Sequence, residues 1–520
     1  MPIDLRVLGA VAALGLAPLA TLAEEPLSAI DWLSQSVTTP AGAKVGAAAK
    51  TPKTKEAPVS SNGALPQDVA VSTLDGPSPD GVGLLSSTVT GLPRDLWGMC
   101  LETEIAAQIT SERTDLLPSL QGLLMTVLLA EAAPPVDSNG TGTLALARID
   151  KLLDMGALEQ AAALLDLVGP TDANLFRRAF DVALLTGNED KGCEMMRSNP
   201  NLAPTFPARI FCLARSGDWN AAALTLRTAQ ALGYVSEEEN ALLSRFLDPD
   251  LFEGDGLPPI PQRMTPLSWR MFEAIGEPQS TTTLPLAFAH AELRETAGWK
   301  AQIEAAERLV RAGAISPNHL LGLYTERLAA ASGGVWDRVD AFQSFDTALR
   351  AGDPGAVALH LPVVWRAMAE AELEVPFALM FAEDLSRLPL TGEARRVAFE
   401  VGLLSPGYET VARTHKAETP REAFLIAVAT GSLAGALPQD SLGRAIAPAF
   451  LRPAAVGEFA GLVDQRRLGE ALLIAIDKIG RGVQGDLAGV TEGLAFLRHV
   501  GLEDAARRTA LELMLLERRG

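Results

Sequence analysis

A chain of 520 residues is longer than one hydrophobic core usually serves, so several domains or one elongated array are expected. Hydrophobic residues at 48% and charged residues at 21% exclude a natively disordered chain, and 5% aromatics with abundant Ala and Leu favour helices over sheets. The net charge of −20 argues against nucleic acid as a partner and against adsorption to anionic lipid, because both present phosphates.

The first residues, "MPIDLRVLGAVAALGLAPLATLAEEP", carry Arg6, an apolar run from Val7 to Leu19, and the small residues Thr21 and Ala23 before two glutamates. This is the layout of a secretory signal peptide over residues 1–23, and Pro18 and the shortness of the run speak against a membrane span. From 24 to 95 Pro, Gly, Ser, Thr and Ala dominate, with Lys44, Lys50, Lys53 and Lys55 gathered together. Such a segment buries too little surface to offset its ordering entropy, so it reads as a disordered linker. Within it, residues 26–35, "PLSAIDWLSQ", form a short apolar segment that is either a docking peptide or simply the end of the mature chain.

From Leu96 the pattern is helix after helix. Residues 116–132, "LLPSLQGLLMTVLLAEA", are apolar nearly all round and predict a buried helix. Gly156, Gly187 and Gly217 follow at intervals of 31 and 30 residues, each between one amphipathic segment and the next. Glycine accepts the left-handed conformation that ends a helix, and Asn188 or Asp218 stands where an N-cap is needed. Each unit is then an αα-hairpin whose apolar face needs a neighbour, which predicts stacking in series.

On these residues, 144–233, the chain resembles tetratricopeptide-like repeats, and "ETAGWKAQIEAAERLVRAG" (295–313) and "RHVGLEDAARRTALELML" (498–515) repeat the pattern more loosely. The period is shorter than that family's, and its Trp, Leu-Gly and Tyr positions are absent from the first helix. The resemblance implies an all-α fold, a right-handed superhelix or α-solenoid of stacked hairpins, and protein–protein interaction along a concave face. It carries over no binding residues.

Residues 247–266, "LDPDLFEGDGLPPIPQRMTP", break any helix. Asp248, Asp250, Glu253 and Asp255 do not match a calcium loop, because Phe252 and Glu253 stand where an oxygen ligand and a Gly belong, so the stretch reads as a solvated acidic loop. The expected organisation is therefore helical repeats over 96–247, a Pro/acidic loop over 248–266, and a second repeat region over 267–520.

Export would place the three cysteines in an oxidising compartment. Cys193 and Cys212 fall on successive helices of neighbouring hairpins, so that pair can close as a disulfide; two buried free thiols are the other reading. Cys100 reads as core.

No reaction is legible. The five histidines, His290, His319, His360, His415 and His499, are widely separated and read as surface or capping residues, with no metal-ligand spacing. Ser405 in "GLLSPGYE" reads as a turn residue rather than a nucleophile. Gly480, Gly482 and Gly485 spell a G-x-G-x-x-G, but the preceding Leu468, Leu472, Ala475, Ile476 and Ile479 recur at helical spacing where a strand is required. Trp219, Trp299 and Trp336 are expected to pack in the core. An exported helical superhelix is similar in shape to that part of soluble lytic transglycosylases, whose chemistry lies in a separate domain with a Glu-Ser pair; no Glu-Ser pair occurs in this chain.

The expected function is a non-catalytic periplasmic scaffold or adaptor binding other envelope proteins, with no cofactor and no metal. A membrane would be involved only if the first segment stays attached, as in a tethered assembly factor for a motility or secretion apparatus. The enzymatic alternative, cutting peptidoglycan or another glycan, needs two carboxyls within roughly 5 to 9.5 Å in a cleft.

Overall fold

Leu- and Ala-rich segments punctuated by glycine fold as helices along the whole described chain, residues 78–516 apart from 170–171, 330, 434 and 455–456, in the computed structural model. No β-strand occurs among the described residues; one isolated bridge joins Leu85 and Ala130. The chain enters through a 3-10 turn, Pro79–Gly81, and the helices α1 (Ser87–Thr90), α2 (Glu102–Ser111) and α3 (Pro118–Leu129). There follow α4 (Thr143–Asp154), α5 (Leu158–Val168), α6 (Ala173–Thr186), α7 (Glu189–Ser198), α8 (Phe206–Arg215), α9 (Trp219–Ala231) and α10 (Glu237–Leu247). A 3-10 turn, Pro249–Phe252, and a loop lead to α11 (Pro266–Ala274) and a longer 3-10 helix, Leu286–Leu293. The next seven helices are α12 (Trp299–Arg311), α13 (Pro317–Glu326), α14 (Val335–Arg350), α15 (Pro354–Glu370), α16 (Glu374–Ser386), α17 (Gly392–Leu403) and α18 (Tyr408–Thr414). The last six are α19 (Pro420–Thr430), α20 (Ser441–Leu451), α21 (Glu458–Asp464), α22 (Leu468–Gly480), α23 (Leu487–His499) and α24 (Glu503–Leu515).

The recurrent glycines do what their spacing predicts. Gly156, Gly187 and Gly217 have φ of 73°, 80° and 84°, and each separates the two helices of a hairpin: α4 from α5, α6 from α7, α8 from α9. Asp218 caps α9 by accepting from the Ala221 amide at 3.1 Å. Asn188 makes no cap; its side-chain amide donates to the Thr186 hydroxyl instead. Gly156 is required twice over, since a side chain there would also meet Leu286 at 2.8 Å. The buried helix expected within 116–132 is α3, with Pro118 in its first turn and Leu120, Leu124, Val127 and Leu128 fully buried.

The signal-peptide reading, the segment 26–35 and most of the linker fall on residues 1–77, outside the described residues. Residues 78–95 correct the linker's expected end at 95. Leu84, Leu85 and Leu92 are buried, and the backbone of Leu84 and Leu85 pairs with that of Leu129 and Glu131. Composition missed this because Pro, Gly and Ser are as suited to a tight, paired turn as to a flexible tether.

Four buried apolar clusters result among the described residues. The largest draws on residues 84–175 and 299–516, and a second, centred on Phe176, Phe180, Phe211, Leu243 and Phe272, holds α6 to α11 together as a lobe. A third, Leu158 with Val182, Leu185, Trp269, Ala287 and Phe288, joins that lobe to the body, and a small fourth packs Ala289 against Ala305, Leu309 and Ala314. The 248–266 loop lies inside the lobe, with that core's residues on both sides of it.

Early and late helices touch. Glu512 on α24 accepts from the Ser119 amide at 2.9 Å and hydroxyl at 2.7 Å, across 393 residues of sequence, so it caps the start of α3. The Gly469 amide donates to the Leu96 carbonyl at 2.8 Å, and the Met99 amide to that of Arg466 at 3.2 Å. Gly469 has no alternative here, because any Cβ would stand 2.5 Å from the Trp97 ring. The helical circuit is closed on itself by these contacts.

His290, on the 3-10 helix, departs from the surface reading of the histidines. It is buried, and its Nε2 meets the Gly156 carbonyl at 2.6 Å, so Nε2 carries the proton and donates. Burial, the largest influence, holds its pKa down to about 4. The folded state thus refuses a proton that the unfolded chain accepts near 6.5. Stability is expected to fall by about 3 kcal/mol as pH drops from 6.5 to 4, and no further from this group below that. Urea midpoints across this range should show a steeper acid dependence in the native protein than in His290→Gln, which can still donate to Gly156. Parallel curves would remove His290 from the account.

Candidate functional site

The lobe leaves a run of neighbouring apolar side chains uncovered. Helix α9 buries only a narrow stripe, Ala222, Leu226 and Ala229, spaced by four and three residues. Its other positions face water, with Trp219 51% and Leu224 67% exposed. Trp219 therefore corrects the expectation that it packs in the core: among the described residues no further hairpin covers this side of α9. Trp299 and Trp336 do pack, against each other at 5.1 Å, and the Trp299 indole donates to the Leu323 carbonyl.

Past α9 the exposure continues through Tyr234, stacked on Phe206 at 5.0 Å, to Leu251, Leu257 and Ile260. These three sit on the Pro/acidic loop, which α10 holds in shape. Arg245 donates to the carbonyls of Phe252 at 2.8 Å, Asp255 at 3.1 Å and Gly256 at 2.9 Å. Asp248 accepts from the Leu251 amide at 3.3 Å. The loop presents three large aliphatic side chains among Asp250, Glu253 and Asp255, all exposed. Scattered exposed hydrophobics need no explanation, but a run of them on one braced element is unusual for a free surface.

Between the lobe's two hairpins, Cys193 of α7 and Cys212 of α8 are joined in a disulfide, with Cα atoms 5.1 Å apart. A cavity of about 320 Å³ opens beside it, lined by Asp190, Met196, Arg209 and Arg215 among others. Cys100 is free and buried, and burial pushes its thiol pKa up, which keeps it unreactive.

A second cavity, of about 370 Å³, lies where distant stretches of chain converge: residues 113–118 with Gln121, Leu286, the end of α12, Glu372 and the turn at 480–484. Arg113 forks onto Asp115, whose carboxyl is held below its usual range mainly by that hydrogen bond. Arg308 donates to the carbonyls of Thr281 at 2.9 Å and Leu284 at 3.2 Å. Arg311 approaches Glu372 at 3.9 Å, an ion pair without a hydrogen bond. Glu372 itself sits in a left-handed turn, φ 56°, between α15 and α16. Gln121 donates to the Thr114 carbonyl at 3.2 Å, while its Oε1 is buried with no partner.

The G-x-G-x-x-G residues contribute to this cavity as a helix end rather than a nucleotide loop. Gly480 closes α22, and Gly480, Val483 and Gln484 line the wall. Ser405 is a turn residue, donating to the Gly402 carbonyl and accepting from the Gly407 amide. Among the described residues no group of three or more His, Cys, Asp or Glu is arranged to hold a metal ion, and no helix is long and apolar enough to cross a membrane. Sequence reasoning missed Arg308, Arg311, Glu372 and Gln121 as a group. They belong to separate helices and turns, and nothing local marks any one of them. No family model matches the chain, and no curated protein or solved structure was found to be significantly similar to it.

Proposed function

We propose that the protein is a non-catalytic periplasmic helical-repeat scaffold that binds another envelope protein through its lobe. The observation that carries this is the run of exposed apolar side chains from Trp219 on α9 to Ile260 on the loop that Arg245 fixes. A rigid surface avoids the ordering cost that a flexible one incurs on association. The acidic rim of Asp250, Glu253 and Asp255 suits a partner whose apolar strip is flanked by Lys or Arg. The signal-peptide pattern over residues 1–23 supports export, and the Cys193–Cys212 disulfide supports an oxidising compartment. The glycan-cutting alternative needs an accessible pair of acids. Asp115 is paired with Arg113 and stays ionised, while the raised acids Glu102 and Glu112 are buried, Glu102 beside Asp80 and Glu112 pushed up to about 8 chiefly by that burial.

The test is crosslinking in the native envelope with the wild type and with Trp219→Ala/Leu251→Asp/Ile260→Asp. Exposed substitutions such as these should change stability by no more than about 0.5 kcal/mol each. Capture of the partner is expected to fall at least about tenfold, the effect of losing a small hot-spot cluster. Undiminished capture would exclude the lobe, and turnover of glycan by purified protein would replace the scaffold reading with the enzymatic one.

A further inference from the structure

We propose that the cavity at the meeting of α3, α12 and α22 binds a small hydroxyl-bearing phosphomonoester, of the polyol phosphate class. Three guanidinium groups, Arg113, Arg308 and Arg311, meet two carboxylates, Asp115 and Glu372, so the lining carries a positive excess within a chain of net charge −20. Asp115 is used up by Arg113. That leaves Arg308 and Arg311, one turn apart on α12, with a single carboxylate, Glu372, which approaches Arg311 at 3.9 Å.

Arg308 has no carboxylate within ion-pair distance among the described residues. Its hydrogen bonds go to backbone carbonyls and, at 3.5 Å, to the Thr281 hydroxyl, while Glu292 acts on it only from further away. The Arg311 charge works against that of Arg308, a repulsion that a bound dianion would reverse. Guanidinium forks with unused N–H groups match tetrahedral oxyanions in geometry as well as charge.

The rest of the lining describes the remainder of the ligand. A volume of about 370 Å³ lies at the small end of ligand cavities, which run from about 300 to 1,000 Å³, and it exceeds what a lone oxyanion fills. Gln121 is 7% exposed and holds Oε1 toward no partner, an acceptor that costs free energy until a donor arrives. A ligand hydroxyl is such a donor. Leu286 and Val483 give a short carbon skeleton an apolar wall.

Isothermal titration of the full chain with glycerol 3-phosphate and with inorganic phosphate tests this, using sulfate as the control for charge alone. Glycerol 3-phosphate is expected to bind most tightly. Arg311→Gln should weaken both phosphates by about tenfold, the loss of one charge-assisted hydrogen bond. Glu372→Gln, which removes the competing carboxylate, should tighten both. Gln121→Leu should weaken glycerol 3-phosphate and leave inorganic phosphate unchanged. Equal affinity for the two anions would overturn the ester assignment. Absence of binding by either, or binding indifferent to Arg311, would overturn the site. The scaffold reading is untouched by either result, because it rests on the lobe.

Discussion

Replacing Arg148 with leucine is expected to cost about 3–5 kcal/mol, the largest effect of any single substitution considered, and to release the first described segment from the body. Arg148 is 1% exposed, and its guanidinium donates to three carbonyls: Leu128 at 2.6 Å, Val82 at 2.6 Å and Ala130 at 3.0 Å. Those carbonyls belong to the two stretches joined at the Leu85–Ala130 bridge. Asp80 stands close enough to support the charge, and accepts from the Ser138 hydroxyl at 2.9 Å and the Ala145 amide at 3.0 Å. Burial lowers the Arg148 pKa to about 10, which still leaves it charged at neutral pH. Leucine would orphan three buried acceptors and leave Asp80 without its cation. Arg148→Lys should recover only part of the loss, because one ammonium cannot fork to three carbonyls. Urea denaturation measures the total, and faster exchange of the Leu84, Leu85 and Glu131 amides locates it. A loss below about 1 kcal/mol would mean that water reaches these carbonyls and the clamp is not structural.

Removing the Cys193–Cys212 bridge is expected to cost about 3 kcal/mol, from the loop entropy of its 19-residue separation. The damage should stay in the lobe. Its core of Phe176, Phe180 and Phe211 is distinct from the main core, so α7 to α10 can open while α6 and α11 stay anchored to the body through Leu175, Val182, Leu185 and Trp269. Under reductant, proteolysis should begin within residues 199–265 while the main body persists. Alkylation in denaturant should label Cys100 alone before reduction and all three cysteines after it. The Cys193→Ser/Cys212→Ser variant should reproduce the reduced behaviour and weaken partner capture through the adjacent α9 surface. One cooperative transition, unmoved by reductant, would show that lobe and body are a single unit and that the bridge adds nothing.

The helices were legible because their determinants are local. Apolar residues at helical spacing placed α3 and α22, and glycines at 156, 187 and 217 placed the breaks that end α4, α6 and α8. Asp218 read correctly as a cap, whereas the Asn188 side chain accepts from no amide of its helix and only donates to the Thr186 hydroxyl. The candidate sites were far less legible. The acidic loop announced its acids and prolines but not that Arg245 would hold Leu251, Leu257 and Ile260 outward. Trp219 looked like a core residue because aromatic anchors between helices usually are, and it is exposed because no hairpin among the described residues covers α9.

The sequence by itself determined the helical class, the hairpin unit and where each hairpin turns, because hydrogen bonds four residues apart and left-handed glycine turns involve neighbours along the chain. Tertiary structure alone decided that Trp97 would seat against Gly469 and Ser119 against Glu512, that Arg148 would clamp two distant carbonyl runs, and that Arg308, Arg311 and Gln121 would share a cavity. These arrangements join groups that are separate in sequence and meet only in the folded chain. Their free energy comes from mutual burial and charge, which exist only once the helices have packed.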